Sequence, residues 1–313
     1  MRLNEQASGV FVIAATPFHP DGRLDLASVD QLTDFYIGSG VSGLTVLGVM
    51  GEATKLDAEE SILLVRQFVS RAGKLPVIAG VTAPGFAPMR ALARQAMDAG
   101  AAGVMIAPPS SLRTDDQIVG YYRQAREAIG DDVPFALQDY PLGFSVVMTP
   151  QVLARIVREN PSCVMLKIED WPSLEKISAV RMLEHEGGMR RVSILTGNGG
   201  VFVDFEMERG ADGAMTGYAF PDMLVDLVKL SKAGERGRAH DLFDAHLPLI
   251  RYEQQPGLGL AVRKYVLQKR GAIASDAQRK PATLMSATAR AEVEFLLQRL
   301  HRFDARSPAI AKS

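Results

Sequence analysis

The sequence predicts a (β/α)8 barrel followed by a small helical subdomain. Three observations point there. Short apolar runs rich in β-branched residues recur eight times, and a segment of helical period follows each of them. Both faces of most runs are apolar, as parallel strands buried on both sides require. No break in composition interrupts the series, which favours a barrel over a doubly wound sheet.

The runs span residues 9–14, 43–47, 76–79, 103–107, 134–137, 164–168, 192–195 and 213–215. Helix-end signals separate them. Asp57 with Glu60 and Thr114 with Gln117 each make a capping box, in which side chain and backbone satisfy each other's orphan N–H groups. Pro88 opens and Gly100 closes a helix whose apolar face is Met89, Leu92, Ala93 and Ala96. Thr149-Pro150 reads as N-cap and first-turn proline, and Asn160-Pro161 ends the helix it starts. The eighth strand ends near Thr216, and the tail beyond it is longer than one closing helix needs. Helical pattern covers 221–233, 238–251, 258–270 and 286–302. The expectation is a barrel over 1–225 and a subdomain of about three helices over 226–313. With no Gly/Ser-rich or Pro-rich linker, the two should pack as one unit.

Composition narrows the function. The chain has 313 residues, 47% apolar and 23% charged, so it can bury a sizeable core and is not disordered in bulk. Lys and Arg (35) nearly cancel Asp and Glu (36), which leaves no electrostatic footprint for nucleic acid or an anionic membrane. A single cysteine, Cys163, suits a reducing compartment. The apolar stretch 10–15 stops at Thr16-Pro17, too short for a signal peptide, and no run approaches a membrane span. The expectation is a soluble, cytoplasmic enzyme or binding domain.

Barrels place their chemistry at the C-terminal ends of the strands and in the loops that follow. That rule selects Thr16-Pro17, residues 48–52, Thr82, residues 108–110, Gln138-Asp139, Lys167, and residues 196–200 and 216–218. Lys167 stands out inside Val164-Met165-Leu166-Lys167-Ile168. Desolvation favours a neutral amine, and a neutral amine attacks a ketone to form an imine. The plainer alternative is a strand-end lysine that reaches solvent or pairs with Glu169 or Asp170.

The glycine clusters admit two readings each. Gly38-Ser39-Gly40-Val41-Ser42-Gly43 matches G-x-G-x-x-G but follows a helix and precedes a strand, so it is a tight turn. Thr196-Gly197-Asn198-Gly199-Gly200 and the run 213–217 follow strands seven and eight, where barrels bind phosphate or let backbone approach an uncharged substrate. In Gly48-Val49-Met50-Gly51-Glu52, the glutamate is an acid–base group or simply a carboxylate near a helix start. The five histidines are scattered, with no i,i+4 pair, so no metal is expected. Arg263, Lys264, Lys269 and Arg270 read as an exposed helix face.

These residues resemble the dihydrodipicolinate synthase / N-acetylneuraminate lyase superfamily. The likeness lies in Thr16-Pro17-Phe18 with Asp21-Gly22 and Asp25, in Gly48-x-x-Gly51-Glu52, in Asp139-x-Pro141 followed by Lys167, and in Gly210-Ala211-Asp212-Gly213. It runs over nearly the whole chain. It implies a (β/α)8 barrel with three extra helices, a homo-oligomer (dimer or tetramer), and a lysine, here Lys167, that forms a Schiff base with pyruvate or another 2-oxo acid. No cofactor beyond that covalent imine is implied.

The departures from the family pattern bear on substrate. Two threonines between the strand-two glycines are here Val49 and Met50, and the tyrosine after strand five is Gln138. The arginine two residues after the following proline is Gly143, and the tyrosine a neighbouring subunit lends is Pro109 or Ser110. A glutamine amide cannot carry a proton at neutral pH, so the hydroxyl relay that an aldol cleavage needs is missing. The 2-keto-3-deoxy sugar acid dehydratases, L-2-keto-3-deoxyarabonate dehydratase among them, are similar at Gln138-Asp139-x-Pro141, around Lys167 and at 213–217 and 271–275.

The resulting expectation is a Schiff-base lyase that dehydrates a 2-keto-3-deoxy sugar acid. Catalytic positions are Lys167, Gln138, Glu52 and Asp139. Thr16, Val49, Met50, Gly51, Gly197, Asn198, Met215 and Thr216 hold substrate, with the Met50 and Gly51 amides on its carboxylate. The alternatives are a dihydrodipicolinate synthase or pyruvate aldolase with an altered relay, and a non-catalytic 2-oxo acid sensor.

Overall fold

The computed structural model describes residues 2–171 and 173–308. Its first half runs β1 (Gly9–Ile13), α1 (Leu26–Gly38), β2 (Gly43–Val46), α2 (Ala58–Ala72), β3 (Val77–Gly80), α3 (Phe86–Asp98), β4 (Gly103–Ile106) and α4 (Asp115–Ile129). The second half of the barrel holds β5 (Phe135–Asp139), a single turn α5 (Pro141–Phe144), α6 (Pro150–Glu159), β6 (Cys163–Ile168), α7 (Ser173–His185), β7 (Ser193–Thr196), α8 (Val203–Glu208) and β8 (Gly213–Ala214). Four helices follow: α9 (Pro221–Lys232), α10 (Arg236–Glu253), α11 (Gly259–Lys269) and α12 (Ala287–Leu300).

Each strand pairs in parallel with the next, and β8 returns to β1 through Gly9↔Gly213 and Val10↔Ala214, closing the barrel. The expected (β/α)8 architecture with C-terminal helices is therefore present. Both capping boxes form, and Thr149 Oγ1 accepts from the Val152 N–H at 3.2 Å. One helix start differs: α3 begins at Phe86, two residues before Pro88. Proline is tolerated there because first-turn N–H groups have no intrahelical acceptor.

Period-two alternation sorts the strand side chains into two layers. Val10 and Val12 of β1, with Phe135 and Leu137 of β5 and Leu166 and Ile168 of β6, pack outward against the helices. Phe11, Ile13, Ala136, Met165, Leu195 and Met215 form a separate inner cluster. Each fully buried Val, Leu, Ile or Phe contributes ~1.5–3 kcal/mol. This parity decides which strand-end side chains enter the barrel mouth: Gln138 and Lys167 continue the inner row, and Asp139 the outer one.

Residue 225, the expected boundary of the barrel, lies inside α9, which packs on β1 and β8. The helices α10, α11 and α12 then form the C-terminal group, and residues 309–313 of the expected subdomain lie outside the described ones. The end of α10 meets the turn after β7, so this group covers part of the barrel mouth. Among the described residues no helix is long and apolar enough to cross a membrane.

Barrel closure depends on Gly213, where an added Cβ would overlap the Gly9 carbonyl oxygen and lie 2.7 Å from its nitrogen. Gly213→Ala is expected to cost ~3 kcal/mol, because backbone on both strands must shift. Gly120→Ala, mid-α4 with nothing within 4 Å of the new methyl, should stabilise by ~0.5–1 kcal/mol. Urea unfolding midpoints of the two variants check the opposite signs.

Candidate active site

Lys167 lies near the C-terminal end of β6, in register with Gln138 of β5 on one side and Leu195 of β7 on the other. Inner-row parity turns its side chain into the barrel mouth, where only 4% of the residue is exposed. Its Nζ is 2.8 Å from Glu169 Oε1. Burial and pairing, which the sequence left as alternatives, occur together. Glu169 has the same parity as Lys167, two residues on, and is itself buried. Its Oε1 also accepts from Gln138 Nε2 at 2.7 Å, and its Oε2 accepts from the Asn198 backbone N–H at 2.9 Å. Gly197 makes this possible, since a Cβ there would overlap the Glu169 carboxylate.

A cavity of about 490 Å³ opens above this cluster. Seven of the expected residues line it: Lys167, Gln138, Val49, Met50, Asn198, Met215 and Thr216. Tyr140, Leu142, Glu169 and Gly217 join them on the barrel side, and Glu253, Gln254 and Arg263 come from α10, α11 and the loop between them. Tyr140 packs edge-to-face on Phe144, and a side chain at Gly143 would run into its ring. Burial raises the Tyr140 phenol; the Glu169 charge adds to that and the Arg263 charge opposes it, so the phenol stays a proton donor at neutral pH.

Five expected site residues are placed elsewhere. Asp139 points outward by parity, and its carboxylate takes the Lys176 ammonium at 2.8 Å. Burial pushes that carboxyl up to about 7 against the pull of Lys176. Glu52 is held outside the cavity by Lys264 Nζ at 2.7 Å, Lys55 Nζ at 2.8 Å and the Arg279 N–H at 3.1 Å. It ties the β2 loop to the C-terminal helices. Thr16 Oγ1 donates to the Gly51 carbonyl at 2.6 Å and fastens the same loop to β1. The Gly51 N–H donates to the Gly48 carbonyl at 3.0 Å, so it is committed within the turn. The N–H groups of Val49 and Met50 open that 3-10 turn and have no acceptor inside it. Gly197 supports Glu169 from behind.

Of the four basic residues on and after α11 expected as an exposed face, Lys269 alone is exposed. Arg263 and Lys264 are buried, and Arg270 pairs with Asp222 at 2.7 Å while stacking on Phe220 and Phe35. Desolvation lowers the Lys264 ammonium, which the Glu52 carboxylate opposes. Burial raises the Glu253 carboxyl, and the Arg263 guanidinium, at 3.0 Å, opposes that. The glycines after β7 do not leave an open phosphate cradle either, because the Gln254 side chain occupies the space over Gly199. Among the described residues, no group of three or more His, Cys, Asp or Glu side chains is arranged to hold a metal ion.

The sequence reading named Glu169 as a pairing partner for Lys167 but gave it no place among the catalytic residues, although its two-residue spacing from Lys167 carried the signal. Nothing local marked Glu253 or Arg263.

The family model described as the dihydrodipicolinate synthetase family matches residues 6–300. The chain belongs to this family. Among its curated members, L-2-keto-3-deoxyarabonate dehydratase of Azospirillum brasilense is 31% identical over 299 residues, 93% of this chain and 94% of that one. The 4-hydroxy-tetrahydrodipicolinate synthase of Methylococcus capsulatus is 29% identical over 256 residues, covering 77% and 85% of the two chains. A crystal structure of dihydrodipicolinate synthase from Rhodopseudomonas palustris superposes with a TM-score of 0.95 at 65% identity, covering 96% of this chain and 99% of that one. The dihydrodipicolinate synthetase family thus includes lyases of more than one specificity.

Glu52→Gln strands the buried Lys264 ammonium and is expected to cost ~3–5 kcal/mol of stability. The double variant Glu52→Gln/Lys264→Met should recover part of that loss. Chemical denaturation of both variants measures it.

Proposed function

We propose that this protein is a lyase that forms an imine between Lys167 and a 2-oxo acid, and that it dehydrates a 2-keto-3-deoxy sugar acid. The observation that carries the reading is the buried Lys167–Glu169 pair at 2.8 Å, facing a cavity of ligand size. A buried ammonium is no nucleophile until it gives up its proton, and Glu169 is the group in place to accept it.

The steps follow from that pair. The free amine adds to the C2 carbonyl, and Glu169 returns its proton to the departing oxygen, which leaves as water. The protonated imine is an electron sink, so Glu169 takes a proton from C3 and an enamine forms. The enamine expels the C4 hydroxyl, which leaves as water with the proton that Glu169 took from C3. Hydrolysis of the conjugated imine frees Lys167 and a product short of one water. The Val49 and Met50 N–H groups receive the substrate carboxylate, because backbone donors survive side-chain replacement. Gln138 orients Glu169, and Tyr140 donates a hydrogen bond to a substrate hydroxyl.

Elimination is favoured over carbon–carbon cleavage because no base is needed at the C4 oxygen. Gln138 stands where the family relay has its phenol, and Gly143, under the Tyr140 ring, leaves no room for an arginine at that position. The nearly full-length similarity to the Azospirillum dehydratase supports this. A second reading, a synthase that joins pyruvate to aspartate semialdehyde, is favoured by the 65% identity to a structure bearing that name. Consumption of both compounds together would select it, and saturable pyruvate binding with neither imine nor turnover would select a sensor. The proposal includes a homo-oligomer, as the family resemblance implies.

Borohydride reduction with pyruvate should add to the intact protein the mass of one pyruvic acid less one oxygen, and Lys167→Ala should abolish the adduct. Glu169→Gln should slow water loss from 2-keto-3-deoxy acids by ~10²–10⁴-fold. Gly197→Ala, which drives Glu169 from its seat, should slow it in the same direction. Single-turnover kinetics on correctly folded variants check both.

A further inference from the structure

The part of the cavity wall that the C-terminal helices supply carries a buried ion pair that the steps above do not use. Glu253 ends α10 and Arg263 lies on α11, with Arg263 Nε 3.0 Å from Glu253 Oε2. The Arg263 side chain is 5% exposed and that of Glu253 1%, and both residues line the cavity. The guanidinium has five N–H donors, of which the Nε–H is committed to Glu253. Its Nη1 lies 3.4 Å from where a Cβ on Gly217 would sit, and Gly217 is itself part of the cavity wall. Nη1 therefore borders the part of the cavity wall that Gly217 forms.

We infer that Arg263, held by Glu253, reads a hydroxyl at the end of the substrate remote from C2, and so selects a monocarboxylic, hydroxylated 2-oxo acid over a dicarboxylic one. This rests on the 2-oxo acid reading above and specifies its substrate class. Two cations, Lys167 and Arg263, face two anions, Glu169 and Glu253, among the described lining residues. The first substrate carboxylate already makes that balance negative. A second one would have to displace Glu253 from Arg263 or lie beside it in a site shielded from water, where like charges repel strongly. A hydroxyl accepts from the Nη edge and leaves the pair intact. Arg263 is thus a specificity-determining residue that acts on the tail, while the chemistry stays at Lys167.

Three probes that differ only at the terminal carbon test this: 5-hydroxy-2-oxopentanoate, 2-oxopentanoate and 2-oxoglutarate. The readout is the concentration of each that half-saturates borohydride trapping at Lys167, which does not require turnover. The hydroxylated acid should half-saturate at ~10-fold lower concentration than either of the others, as one hydrogen bond to a charged group allows. Arg263→Met should erase that preference, and Arg263→Lys should keep part of it. Because Arg263→Met strands Glu253, the double variant Arg263→Met/Glu253→Gln is measured beside it and should show the same loss.

A preference that survives in both variants overturns the inference, as does tighter trapping of 2-oxoglutarate by the unaltered protein. So does a loss of pyruvate trapping as steep as that of the hydroxylated acid, which would place Arg263 on the C1 carboxylate. Failure of the dehydratase reading looks different. Then no 2-keto-3-deoxy acid is turned over, yet the ranking of the three probes and its dependence on Arg263 persist.

Discussion

A lysine ammonium cannot remain buried without a partner, and at the mouth of this barrel that partner is Glu169. The pair depends on the closed parallel sheet, which turns every second residue inward and sets Lys167 beside Gln138 across the β5–β6 register. Glu169 then gathers donors from three places: the Lys167 ammonium, the Gln138 amide and the Asn198 backbone. Each is satisfied by the same carboxylate, so moving any one of them disturbs the others. In the proposed reaction this fixed carboxylate is the proton acceptor, already aimed before the carbonyl arrives, which is the form that preorganised catalysis takes.

The glycines around the cavity share one explanation. Gly197 leaves room for the Glu169 carboxylate, Gly143 for the Tyr140 ring, Gly199 for Gln254 and Gly217 for the Arg263 guanidinium. At the first three the missing Cβ is a seat for a neighbour's side chain, whereas at Gly217 it also spares the Ile13 carbonyl, 2.8 Å from where it would sit. None of the four is there to cradle a phosphate. The charged groups divide in the same spirit. Lys167, Glu169, Arg263 and Glu253 line the cavity, whereas Glu52–Lys264 and Asp139–Lys176 fasten the loops and helices that surround them.

The barrel was legible in the sequence because its signals are local: short runs apolar on both faces, capping boxes at Asp57 and Thr114, and a proline at the start of α6. Lys167 was legible for the same reason, as a charge inside an apolar strand. Asp139 and Glu169 show where local reading stopped short. Strand parity joins Glu169 to Lys167 and separates Asp139 from Gln138, the latter only once β5 is known to run through Asp139 rather than to end at Leu137. Glu52 sits beside a helix start, yet its partner Lys264 is 212 residues away. Arg263 and Glu253 reach the cavity because α10 and α11 fold back over the barrel, a tertiary event that leaves no trace in their own helical periodicity.

The central claim is that Lys167 is the residue that bonds to the substrate, with Glu169 at its side. A crystal structure of the protein soaked in pyruvate tests it most directly. The account requires continuous density from Lys167 Nζ to the pyruvate C2, with Glu169 still within hydrogen-bond distance of that nitrogen and the carboxylate on the Val49–Met50 turn. An unmodified Lys167 beside bound pyruvate, or an adduct on another lysine, would contradict it.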